Sequence, residues 1–180
     1  MNRTISGRPR PGEFAHYAQS DIDAVAGDDI VTTLAAQMKE TLGVFRSVDE
    51  DSASSVRYAP GKWNLKQVIG HLADDERIFA YRALCVARSD ARPLPGFEEK
   101  DYVNAACFES LPIQELLEDL RIVREGTISL LRGLASEAWL RTGMVNGYQA
   151  SVRGLAFHIA GHELHHMRIV REKYLPLIRG

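Results

Sequence analysis

The sequence predicts an all-α protein, a four-helix bundle. Apolar residues recur at three- and four-residue spacing over four long stretches, and helix-terminating residues fall between them. The one strand candidate is a short extended piece around Met144 to Tyr148. Four amphipathic helices bury their stripes most simply against one another.

Residues 1–20 read as an N-terminal arm, an irregular lead-in broken by Gly7, Pro9, Pro11 and Gly12. Residues 21–180 form one domain. From Asp28 the pattern turns helical: Ile30, Leu34, Met38, Leu42 and Phe45 make one stripe that ends near Val48. Residues 49–63, rich in Ser with Pro60 and Gly61, form a connection. Asn64 then caps a second helix, lined by Leu65, Val68, Ile69, Leu72, Ile78, Phe79 and Leu84 and running to about Ala87. Residues 89–111 make a long connection holding a short helix around Glu98 to Cys107. Connections of this length in a compact domain are often functional. Pro112 opens a third helix, with Glu115 and Glu118 near its positive end and a stripe from Leu116 to Leu131. A turn-rich link over 135–150 follows. Ser151 caps the fourth helix, which runs to about Leu175, where Pro176 is expected to stop it.

Composition narrows the function. A formal net charge of −2 and a pI near 6.3 give no basic stripe for nucleic acid. No apolar run approaches the roughly 20 residues of a membrane span, and the N-terminal stretch lacks the apolar segment of a secretory signal. Cys85 and Cys107 match no zinc or redox spacing and are too few for a disulfide framework. A cytoplasmic protein is expected, with a small-molecule partner and neither nucleic acid nor membrane.

The chemistry concentrates in the last helix, where His158, His162, His165 and His166 fall close together. His162 and His166 are four residues apart, about 400° of helical rotation, so they sit one turn apart on one face. Two imidazoles so placed can share a divalent ion, and a catalytic site of this kind wants about three protein ligands and an open position. His71, mid-helix among Val68, Ile69, Gly70, Leu72 and Ala73, is the natural third donor, because bundles bind metals with side chains on facing helices. His158 lies near the same stripe and is either a ligand or a support; His165 turns off it. Gly70 and Gly161 sit inside helices at a cost of about 1 kcal/mol each against Ala, which a close backbone approach would justify, whether around a site or in plain packing. Asp75, at i+4 from His71, could hydrogen-bond a ligand imidazole; the commoner arrangement would be a solvated face of Asp74, Asp75 and Glu76 with Arg77 and Arg82.

His162-Glu163-Leu164-His165-His166 also fits H-E-x-x-H, the zinc protease helix with Glu163 as general base. Ile169 and Glu172 stand where its extended form needs Gly and His, and the strand-rich half that holds a peptide is missing. A catalytic Glu163 in a small-molecule hydrolase remains an expectation.

Tyr58-Ala59-Pro60-Gly61-Lys62-Trp63-Asn64, followed by Val68 to Arg77, resembles the opening of the DinB/YfiT-like family. The late His162-Glu163-Leu164-His165-His166 with Ile169 resembles its ending. The resemblance implies a four-helix bundle, often a homodimer, with a divalent metal on His71, His162 and His166. It also implies one of two activities. One is a thiol-dependent transferase or isomerase of the bacillithiol, mycothiol or glutathione type; the other is a metal-dependent hydrolase. Nitrogen-rich sites accept Ni, Zn, Fe or Mn, so identity follows supply. The alternative is a non-catalytic bundle, a metal or ligand sensor or store.

Overall fold

The computed structural model describes residues 7–179; residues 1–6 of the expected arm lie outside that range. In chain order the helices are α1 (Gln19–Ala24), α2 (Ile30–Phe45), α3 (Glu50–Ser55), α4 (Leu65–Ala87), α5 (Glu99–Ala106), α6 (Ile113–Arg132), α7 (Val152–Ile169) and α8 (Leu175–Arg179). A two-stranded antiparallel hairpin, β1 (Thr142–Val145) and β2 (Tyr148–Ser151), precedes α7. The four long helices form the expected bundle. α4 packs against α6 and α7, and α2 packs against the same two from the other side.

Local chemistry sets where these helices begin. Asn64 accepts from the Gln67 N–H at 2.9 Å, and the Gln67 side chain accepts from the Asn64 N–H at 3.0 Å. That reciprocal cap fixes the start of α4 one residue after Trp63. Ser151 caps α7 by accepting from Gly154 N–H at 3.0 Å. Pro112 stands one position before α6, and the first free N–H, that of Ile113, is taken by Glu50 of α3 at 2.9 Å.

The structure adds elements that periodicity did not announce. α3, six residues long, occupies the connection after α2 and is too short to show a stripe. A 3-10 turn at His16–Ala18 runs into α1, which packs against α7 with Ala18 and Ile22 buried, so the second half of the lead-in belongs to the bundle. Pro176 does not stop the last helix. A widened π-helical turn, Val170–Tyr174, precedes α8 and carries the chain past a residue that lacks an N–H and crowds the carbonyl one turn back.

The core is split by a polar layer. One apolar cluster gathers around Leu34, Phe79, Ile128 and Phe157, the other around Phe45, Ile69, Leu116 and Met167. Between them every long helix contributes buried polar residues: Gln37 from α2, Asp75 and Glu76 from α4, Arg124 from α6, Glu163 from α7. Arg124 is the hub. Its Nε donates to Glu76 at 2.8 Å, its Nη1 to the Leu34 carbonyl at 3.0 Å, and its Nη2 lies 2.9 Å from Glu163 Oε2. Burial works against the guanidinium charge, and Glu163 and Glu76 overcome it, so the Arg124 pKa is raised.

Both interior glycines answer to packing. A Cβ on Gly161 would meet the Asp21 backbone of α1 at 2.6 Å, and one on Gly70 would collide with the Phe108 ring. We expect Gly161→Ala to cost about 1–3 kcal/mol. Gly126→Ala, in α6 with nothing within 4 Å of a new Cβ, should gain up to about 1 kcal/mol. Urea midpoints at constant m test both, and equal midpoints for the two variants would refute the close approach. Arg124→Met strands two buried carboxylates and should cost about 3–5 kcal/mol. Arg121→Met, which breaks only the surface pairs with Glu118 and Glu125, should leave the urea midpoint close to that of the unaltered protein. Similar losses for the two arginines would show that the buried pairing is not what holds the helices.

Candidate metal centre

His71, His162 and His166 meet beside the polar layer. His71 Nε2 and His166 Nε2 each lie 3.1 Å from His162 Nε2, and the three ligand atoms fall within 4.8 Å of one another. Helical spacing does this locally: His162 and His166 stack one turn apart on α7, and α4 presents His71 to both.

The donor set fits a divalent ion. Ligand nitrogens about 2.1 Å from an ion, at angles between square and tetrahedral, stand about 3.0–3.4 Å apart. Hydrogen bonds among the rings alone fit less well. His162 Nδ1 lies 3.2 Å from Asp75 Oδ2, so its other nitrogen, Nε2, faces both rings. A neutral imidazole offers at Nε2 either one hydrogen or one lone pair, and here two rings approach it. Burial pushes His71 down to about 4 and His166 down to about 3, the latter helped by repulsion from His71 and His165. Burial and the neighbouring imidazoles hold His162 well below its usual value. Near neutral pH all three are neutral bases, the form that ligates metals.

The surroundings hold the rings in place. Trp63 lies 4.8 Å from the His71 ring centroid and stacks at 6.4 Å on His166. Its own carbonyl accepts from the Tyr174 hydroxyl at 2.6 Å. Behind His162, Asp75 is buried, and burial pushes its carboxyl up to about 8, with Glu76 and Glu99 adding to the shift and Arg82 opposing it. The expected solvated acidic face therefore does not form: Asp75 and Glu76 are both interior, and Asp74 alone pairs with Arg77. Arg82 is interior too, donating to the Pro95 carbonyl at 2.7 Å.

Other expected residues fall elsewhere. His158 stacks on Phe79 at 3.9 Å and on His162 at 5.9 Å, a support beneath the trio. His165 leaves the stripe and meets Asp21 of α1 at 3.3 Å. Glu163 is not brought to the trio. One residue on from His162 is about 100° round the helix, and there its carboxylate pairs with Arg124 in the buried layer. A different carboxylate stands near the histidines: Glu99 Oε2, on the first residue of α5, lies 3.7 Å from His71 Nε2. Nothing in the sequence marked it among Glu98, Glu99 and Asp101. Its position depends on how the long connection folds back.

A cavity of about 190 Å³ opens on His166, walled by Tyr58, Trp63 and Tyr174 and edged by Lys62, Lys100 and Glu99. Two arginines are engaged away from it: Arg77 pairs with Asp119 and Asp74, and Arg153 pairs with Glu13. The positive groups at the mouth are Lys62 and Lys100. Among the described residues no helix is long and apolar enough to cross a membrane.

Comparison with known proteins bears on the family and the fold. A protein of Oceanobacillus iheyensis, described as a candidate metal-dependent hydrolase, is 27% identical over 124 residues, covering 67% of this chain and 70% of its own. Among solved structures, YfiT from Bacillus subtilis superposes with a TM-score of 0.70 at 18% identity, over 94% of this chain and 92% of YfiT. YfiT is described as a candidate metal-dependent hydrolase with an unusual four-helix bundle topology. A mycothiol-dependent maleylpyruvate isomerase superposes with a TM-score of 0.65 at 12% identity, over 77% of this chain and 57% of that one. These last two likenesses concern the fold. Residues 33–170, which carry all three converging histidines, match the DinB superfamily, and the chain belongs to it.

Proposed function

We propose that this protein is a divalent-metal-dependent enzyme acting on small molecules, either a transferase that uses a low-molecular-weight thiol or a hydrolase. The observation that carries the reading is the convergence of three neutral imidazole nitrogens beside an open cavity. His71, His162 and His166 would hold the ion. A divalent ion there polarises a substrate oxygen and makes a bound water or thiol acidic enough to react near neutral pH. Asp75 orients His162 by accepting from Nδ1, and Trp63 keeps water off one side of the trio. Lys62 and Lys100 give the mouth a positive edge, which suits a substrate or thiol bearing carboxylates. The cavity takes a small molecule. The two short strands of the hairpin do not line it, so no sheet edge is offered to an extended peptide. Glu163 has no part in this chemistry, because its carboxylate is committed to Arg124.

The homodimer belongs to the same proposal and rests on the resemblance, since Phe108 is buried within its own bundle and Phe97 packs edge-on against Tyr102 at 5.1 Å. A monomer mass in light scattering across micromolar concentrations would remove it.

The test of function has two stages. Purified protein should carry close to one divalent ion per chain by elemental analysis. His162→Ala and His166→Ala should each abolish that content, and His165→Ala should retain it. Metal-loaded protein is then offered unstructured polypeptides in one arm. The other arm offers small electrophiles and esters with glutathione, bacillithiol or mycothiol. Turnover in the second arm that vanishes in His71→Ala supports the reading. Peptide cleavage, or stoichiometric binding with no turnover of any kind, would sink it.

A further inference from the structure

We infer that Glu99 supplies a fourth protein ligand, a carboxylate oxygen, to the ion held by His71, His162 and His166. The inference rests on the three-histidine reading and goes beyond it. Its basis is position. Glu99 Oε2 lies 3.7 Å from His71 Nε2, against the 3.1 Å that separates the converging nitrogens themselves. It borders the cavity onto which His166 opens, so it approaches from the side the imidazoles leave free. Half of the side chain is exposed, at 52%, so its carboxylate has room to turn toward the histidines about its own bonds. Among the described residues no Lys or Arg lies within ion-pair distance of its carboxylate; its one such neighbour is His71.

The segment that carries Glu99 is anchored. Leu94 N–H donates to the Met144 carbonyl at 2.9 Å, and Asn146 N–H donates to the Leu94 carbonyl at 2.8 Å, which ties the connection to the hairpin. Arg82 holds the Pro95 carbonyl at 2.7 Å. The chain therefore enters α5 at a fixed place, with Glu99 as its first residue. Charge supports the assignment. Three neutral imidazoles leave a divalent ion uncompensated, and Asp75 is spent on His162 Nδ1. A carboxylate on the open side supplies the missing anion and shifts the set from three nitrogens to three nitrogens and an oxygen.

Cobalt(II) titration of metal-free protein tests this, with affinity read by chelator competition and the ligand sphere read from the visible ligand-field bands. Glu99→Gln keeps the size of the side chain and removes its charge. The expected result is a fall in cobalt affinity of about ten- to a hundredfold together with altered bands, while Glu98→Gln matches the unaltered protein. Unchanged affinity, or reduced affinity with unchanged bands, overturns the inference, the second because it would mean a charge acting from a distance. An unaltered protein that binds no cobalt sinks the three-histidine reading itself, whereas normal binding lost in His162→Ala and indifferent to Glu99→Gln sinks this inference alone. Circular dichroism of each variant checks that the bundle is intact.

Discussion

One guanidinium sets the register of the bundle. Arg124, on α6, reaches Glu76 on α4, Glu163 on α7 and the Leu34 carbonyl on α2, so the four long helices share a single buried contact set. Apolar packing alone would let such helices slide by a turn at modest cost, because one leucine row resembles the next. A buried charge does not permit that. Each of its partners would be left desolvated and unpaired, at several kcal/mol. Buried ion pairs add little net stability over well-packed apolar residues, but they are good at specifying one arrangement among several, and here that specification is used. Glu76 follows Asp75, and Glu163 follows His162. Fixing Glu76 and Glu163 on one cation therefore fixes Asp75 against His162 Nδ1, and with it the meeting of His71, His162 and His166.

The polar layer also explains why the core is two clusters. A trio of imidazoles kept neutral needs a dry setting that depresses their pKa values, yet needs polar groups behind the rings. The bundle supplies the first with apolar clusters at both ends and the second with Asp75. α1 and Trp63 close two further sides. α1 lies so near α7 that position 161 must be glycine, and Trp63 is set over His71 and His166 by the cap on α4 and the hydroxyl of Tyr174. The glycines inside the helices thus serve helix-to-helix and ring-to-helix contact, and they bear on the three histidines only by letting the walls come close.

What the sequence made legible was whatever depends on short separations. The start of α4 at Asn64, the cap at Ser151, the shared face of His162 and His166, and the inward aim of His71 all follow from spacings of one turn or from apolar neighbours. The resemblance of the segments around His71 and His162 implied the same trio. What stayed hidden depends on contacts across the chain. Arg124 reads as one more charge on an amphipathic helix until Glu163 and Glu76 are seen opposite. Asp75 and Glu76 read as a solvated face because four charged residues follow in a row, and burial contradicts that only through α6 and α7. α3 is too short for a stripe, and Glu99 is placed by a connection pinned to a hairpin about fifty residues later in the chain.

Glu163 shows why the same five letters carry different chemistry in different folds. In H-E-x-x-H the glutamate is about 100° from the first histidine, so it can face a bound water only if the helix side between them is open to the site. Here α7 is covered nearly all round, by α4, α2 and α1, and α6 holds the cation toward which Glu163 turns. A carboxylate paired with a buried guanidinium is turned to that partner and does not line the cavity. The cavity side of the trio faces Trp63, Lys62 and the start of α5 instead. The cavity is therefore lined by the segment before α4 and the start of that helix, the start of α5 and the far end of α7 with the turn after it, and Glu163, inside the motif, is not among its walls.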